Sequence, residues 1–139
     1  MKYAAVIVAA GSGSRMGLGY NKMLFQLKSG EVILEKTIGT FLQDEACEQL
    51  VVVHSEEDYD AFAPYCKHSK IQMTVGGASR QESVSNGLKL VKSEYVLIHD
   101  GARPFIETQT IKEVVDALSS FDAALCVSKI NDTVKKISP

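Results

Sequence analysis

Tyr3-Ala4-Ala5-Val6-Ile7-Val8-Ala9-Ala10-Gly11-Ser12-Gly13-Ser14-Arg15-Met16-Gly17, with Lys22 a short way beyond, is an apolar run that stops at a glycine-rich turn. The run Tyr3 to Ala10, rich in alanine and valine, reads as a strand buried on both faces, as strands of parallel sheets are. The turn then falls at the carboxyl edge of the sheet, where open α/β folds place their ligands. Gly11, Gly13 and Gly17 let the backbone take positive φ and bring bare N–H groups against phosphate oxygens. Arg15 and Lys22 add the charge that a triphosphate tail needs.

The rest of the chain repeats this alternation. Short apolar runs at Ala4 to Ala10, Leu50 to His54, Ile71 to Val75, Tyr95 to His99 and Ala123 to Val127 read as strands. Between them, Val32 to Leu42, Glu57 to Ala63, Ser79 to Val91 and Thr110 to Leu118 have helical spacing; in the first, Leu34, Ile38, Phe41 and Leu42 share a face. Ser79-Arg80-Gln81-Glu82 and Thr110-Ile111-Lys112-Glu113 each have the form of a capping box. Strand and helix in alternation imply right-handed crossovers and a mostly parallel, Rossmann-like α/β sheet with helices on both faces.

With 139 residues, 45% of them hydrophobic, the chain can bury one core, so a single domain spanning 1–139 is expected. The chain stops at Pro139 with no closing helix over its last strand and reads as cut short on that side. A net charge of −2 with interleaved signs offers no basic field for nucleic acid and suits a small anionic ligand better. No apolar run reaches membrane-spanning length and no signal-peptide pattern opens the chain, which points to the cytoplasm. Cys47, Cys66 and Cys126 are odd in number and widely spaced, and read as reduced bystanders.

Two further segments repeat the arrangement of a strand end followed by a polar or glycine turn. Gly76-Gly77-Ala78-Ser79-Arg80-Gln81-Glu82-Ser83 opens a helix whose N–H groups could receive a base edge or a phosphate, although Ser79 and Glu82 could equally serve only as caps. His99-Asp100-Gly101-Ala102-Arg103-Pro104-Phe105 puts Asp100 at the sheet edge. A lone carboxylate there suits Mg²⁺, which takes one or two carboxylates plus substrate phosphates and water; the alternative is a turn aspartate bonding its own backbone. Arg103 has the planar fork that fits a phosphate, or it pairs with Asp100. His54, His68 and His99 share no metal-ligand spacing.

In order and spacing, Ala9 to Lys22, Gly76 to Ser83 and His99 to Phe105 resemble the cytidylyltransferases that join CTP to 2-C-methyl-D-erythritol 4-phosphate in the non-mevalonate route to isoprenoid precursors. The resemblance implies an in-line displacement in which the acceptor phosphate attacks the α-phosphorus of CTP and pyrophosphate leaves. It assigns the catalytic cations to Arg15 and Lys22, and the phosphate cradle to the amides of Gly11, Ser12 and Gly13. Ala9, Ala10, Gly77, Ala78 and Ser83 match cytosine and ribose contacts, with Gly101 counted among the nucleotide-binding positions. Asp100 would serve substrate and Mg²⁺, while Arg103 and Thr133 approach the acceptor, Thr133 from across a homodimer. Where many relatives have proline, this chain has Asn21, and loss of the fixed φ is expected to loosen the loop while leaving Lys22 in place.

Three rivals bear on the reading. A cytidylyltransferase for another polyol phosphate, such as ribitol 5-phosphate, would share the CTP half. A nicotinamide oxidoreductase would need glycine where Met16 stands to complete its fingerprint. A non-catalytic nucleotide-binding fragment is consistent with the abrupt end.

Overall fold

In this computed structural model, which describes residues 1–11, 17–129, 131, 133 and 135, four strands form one parallel sheet. They are β1 (Tyr3–Val8), β2 (Cys47–His54), β3 (Ile71–Val75) and β4 (Tyr95–Asp100), laid side by side in the order β3-β2-β1-β4. The chain steps outward from β1 to β2 and β3, then crosses back past β1 to β4. Right-handed crossovers therefore put the early helices on one face and the last crossover helix on the other. They also open a crevice between the carboxyl ends of β1 and β4, where the strand order reverses.

β1 is buried along its whole length. Tyr3, Ala5 and Ile7 face α1 (Ile33–Leu42), which inserts Leu34, Ile38 and Phe41 into the same core. The short α2 (Tyr59–Phe62) adds Phe62, and α4 (Thr108–Ala117) adds Ile111 and Val115. Val6 and Val8, pointing the other way, meet Val51 and Val53 of β2 under Val84 of α3 (Arg80–Leu88). Each such side chain, fully buried, contributes about 1.5–3 kcal/mol.

Gly87 is where α3 meets the sheet. A Cβ built there would lie 2.5 Å from Cγ1 of Val6 and 3.0 Å from Cγ2 of Val53, so glycine sets how closely the helix seats. At its start α3 has the expected capping box, Ser79 Oγ accepting from the Glu82 amide and the Glu82 carboxylate accepting from Ser79.

Four expectations from sequence are corrected. Thr110 does not cap α4, which begins at Thr108 with Glu107 at the N-cap and no side-chain cap bond; Glu113 instead accepts from Gln109 one turn earlier. The helix expected over Glu57 to Ala63 is a broken series: a 3-10 turn at Glu56–Asp58, α2, and a second 3-10 turn at Ala63–Tyr65, where Pro64 cannot continue an α-helical ladder. α3 stops at Leu88 rather than Val91. There Leu90 and Val91 donate in tight turns to Gly87 and Leu88, and the Gln49 side chain takes the Leu90 carbonyl and the Lys92 amide.

The fourth concerns Ala123 to Val127, which form no strand. Leu125 and Val127 are each 84% exposed. Apolar, β-prone composition becomes a strand only when a neighbour completes its ladder and covers a face, and among the described residues none does so here.

Candidate functional site

The crevice at the β1/β4 switch point is a cleft of about 410 Å³. The first loop lines it with Ala9, Ala10, Gly11 and Lys22, the second with Gly77, Ala78, Ser79, Arg80 and Ser83, and the third with Asp100 and Ala102. The three segments singled out in the sequence thus converge on one site. Ser12, Gly13 and Arg15, with Asp132, lie outside the described residues.

Beyond the first loop, Lys22 opens a 3-10 turn, Lys22–Leu24, capped by Asn21, whose Oδ1 accepts from the Met23 amide at 3.0 Å. Met23 is buried under the cleft, so the turn is anchored from below and the Lys22 side chain faces the opening. Among the described residues its ammonium meets no acceptor, which leaves it to neutralise an incoming anion. Of the first-loop glycines, Gly17 takes the expected positive φ (60°); Gly11, whose carbonyl accepts from Asn21, does not, and Gly13 is outside the described residues.

The second loop departs from expectation in its amides. Gly77 N–H donates to Ser83 Oγ at 3.1 Å, and the N–H groups of Ala78 and Ser79 donate to the Glu82 carboxylate at 2.6 and 3.3 Å. Those donors are taken, so a base edge or phosphate reaches them only if Glu82 or Ser83 gives way. Among the described residues the carbonyls of Gly77 and Ala78 accept nothing. The unengaged backbone groups of this wall are acceptors, suited to a ligand's N–H donors. A Cβ on Gly77 would come within 2.3 Å of the Glu82 Cβ, so the close pass of loop over helix requires glycine.

On the third loop, Asp100 ends β4 opposite Val8 of β1. Oδ1 accepts from the Ala102 amide at 3.2 Å, the bond of a turn aspartate, while Oδ2 lies 3.8 Å from Arg103 Nε, the expected pairing, and 4.0 Å from an Arg80 nitrogen. Arg103 is 79% exposed at its side chain and lines not this cleft but a larger adjoining groove of about 1470 Å³. Lys22, Arg80, Asp100 and Ala102 border both spaces and so mark their junction. Gly101 is beneath the cleft rather than on it. Its N–H donates to Val8 O, its carbonyl accepts from buried Thr37 of α1 at 3.0 Å, and a side chain would strike Met23 and Val8. Thr133 is exposed and borders neither space.

His99 precedes Asp100 inside the sheet, edge-on to Phe41, with Nε2 3.0 Å from the Arg103 carbonyl. Burial holds its imidazole below the ordinary histidine range, partly offset by that bond. The neutral ring therefore carries its proton on Nε2 and donates it, fixing the path of the loop that presents Arg103. At the far end of β2, burial pushes the Cys47 thiol up to about 11, as it does Cys66, and keeps both largely in the unreactive thiol form.

No cluster of three or more histidine, cysteine or acidic side chains exists among the described residues that could cage a metal. One accessible carboxylate, that of Asp100, borders the cleft, and Mg²⁺ is an ion that takes one or two carboxylates and completes its shell with phosphates and water.

Set beside known proteins, residues 3–139 match the family model IspD, 2-C-methyl-D-erythritol 4-phosphate cytidylyltransferase. The chain belongs to that family. A relative from Bacillus mycoides bearing that name is 40% identical across 97% of the chain, and one from Geobacillus kaustophilus is 40% identical across 98%. The chain spans 62% and 61% of these two relatives' lengths. Among solved structures, a 4-diphosphocytidyl-2C-methyl-D-erythritol synthase from Anaerococcus prevotii superposes with a TM-score of 0.84 at 30% identity, covering 99% of this chain and 59% of that one. The cytidylyltransferase from Thermus thermophilus follows the same fold at a TM-score of 0.76 and 28% identity, covering 98% and 59%. No described helix is long and apolar enough to cross a membrane.

Two residues that build the site were misjudged or missed in the sequence. Asn21 was expected to loosen the loop, yet it is 5% exposed and its side chain is bonded at both ends. Thr37 carries no local signal, because its partner Gly101 lies 64 residues away in the chain.

Proposed function

We propose that this chain, as one nucleotidyltransferase domain, transfers the cytidylyl group of CTP to 2-C-methyl-D-erythritol 4-phosphate and releases pyrophosphate. The observation that carries the proposal is the convergence of three loops on one cleft at the β1/β4 switch point, with Lys22 and Asp100 at its junction with a second groove.

Two adjoining spaces are what an in-line displacement requires. The nucleotide occupies the cleft, the acceptor occupies the groove beside Arg103, and the α-phosphorus lies at the junction beside Lys22 and Arg80. The acceptor phosphate arrives already ionised, so alignment and charge neutralisation supply the catalysis and no strong base is needed. Lys22, with Arg15, offsets charge on the α-phosphate and the departing pyrophosphate. Asp100 would help hold Mg²⁺, which supplies charge neutralisation on the phosphates when bound. The acceptor carbonyls of Gly77 and Ala78 favour cytosine, whose exocyclic amine is a donor, over uracil, which presents an oxygen in its place. Cytoplasmic action as a homodimer, with Thr133 reaching the partner's acceptor, completes the reading.

Pyrophosphate release from CTP and Mg²⁺ tests it. Release is expected with 2-C-methyl-D-erythritol 4-phosphate and not with ribitol 5-phosphate. The reverse preference would reassign the acceptor, and tight CTP binding with no release would make the chain a nucleotide-binding unit.

A further inference from the structure

Asn21 sits at a crossroads that the reading above does not use. Its Nδ2 donates to the carbonyls of Ala9 and Gly11, each at 3.2 Å, and to Asp58 Oδ2 at 2.7 Å. Its Oδ1 accepts from the Met23 amide. An amide nitrogen has two hydrogens, so one of them is shared between acceptors, and the bond to Met23 fixes which end of the side chain is nitrogen. Asp58 is held in turn by Ser55 Oγ, at 2.5 Å, in the turn that follows β2.

We propose that Asn21 is a positioning residue for this site: one buried amide fastens the start of the phosphate loop to the Lys22 turn and braces both against Asp58. The Ala9 and Gly11 carbonyls mark where the loop leaves β1. The Met23 amide lies inside the turn that displays Lys22, and Asp58 belongs to a neighbouring strand's loop. The single side chain thereby ties the end of β1, at Ala9 and Gly11, to the turn that displays Lys22. Backbone stiffness is not the cause, since φ of −63° at Asn21 is also the value proline imposes. The proposal rests on the cleft being the CTP site, but the clamp itself can be read without nucleotide.

Asn21→Pro keeps that φ and deletes every side-chain bond; Asp58→Ala deletes the brace, together with the bond from Ser55, and leaves the other bonds of Asn21 in place. Hydrogen–deuterium exchange should accelerate about tenfold or more over residues 9–24 in both variants, the weight of one charge-assisted bond, with β4 unchanged. CTP affinity, measured by calorimetry, should fall by about tenfold or more in Asn21→Pro. Unaltered exchange over 9–24 in both variants would overturn the clamp. So would acceleration spread evenly over the sheet, which marks a general loss of stability, or unchanged CTP affinity in Asn21→Pro. Wild-type protein that does not bind CTP would overturn the functional reading and, with it, the clamp's role in nucleotide positioning; the exchange pattern would still decide whether the clamp exists.

Discussion

Gly87→Ala sets two well-characterised effects against each other inside α3. Alanine in place of a glycine in a helix interior stabilises a helix by about 0.5–1 kcal/mol, and Gly87, the last residue but one of α3, stands to gain no more than the lower end of that. Here the added methyl would stand 2.5 Å from Val6 Cγ1 and 3.0 Å from Val53 Cγ2, well inside the normal carbon–carbon contact distance of roughly 3.5–4.0 Å. Both partners are short, β-branched, fully buried and paired in the centre of the sheet, so neither can swing aside. The helix must lift instead, and overpacking of this kind costs about 1–3 kcal/mol. The clash wins, with a net loss of about 0.5–2.5 kcal/mol. In a domain of this size that lowers Tm by about 2–8 °C. Because α3 presents Ser79 and Ser83 to the cleft, CTP binding should weaken in the same variant. Urea and thermal denaturation measure the first effect and calorimetry the second. A Tm raised by the propensity gain would refute the close seating of α3 on β1 and β2.

Two further outcomes follow from buried groups. His99 has its pKa lowered by burial, so between the folded value and the ordinary value of 6.5 the unfolded chain binds more protons. Its contribution to stability is present above about pH 6.5 and is lost as pH falls through the folded value; His99→Gln should flatten the acid limb of the urea-midpoint profile, and an unchanged limb would contradict the assignment. With a thiol-specific chromogenic reagent, Cys126 should react at once, the half-buried Cys66 slowly, and Cys47 only on unfolding. A protected Cys126 would mean that residues 123–127 are covered after all.

What the sequence disclosed was local. The apolar run through Ala10 and the Ser79–Glu82 box are each set by neighbours a few residues apart, so their outlines can be read directly. The engagement of the second loop's amides was also local, yet the same Glu82 that signals a helix start takes the donors expected for ligand. Long-range bonds were illegible. Nothing in Asn21-Lys22 says that the asparagine reaches Asp58, 37 residues on, or that Thr37 props Gly101. Ala123 to Val127 has strand composition without a strand because pairing is supplied by a partner, not by the segment itself.

The central claim is that Lys22 meets the phosphate tail of a cytidine nucleotide in the cleft between β1 and β4. Calorimetric titration of CTP with Mg²⁺ into the wild type and Lys22→Ala tests it most directly. Removing a charge-assisted contact worth about 1.5–3 kcal/mol should weaken CTP by roughly 10- to 150-fold, with Tm changed by no more than a degree or two. Equal CTP affinity in the two proteins would contradict the account.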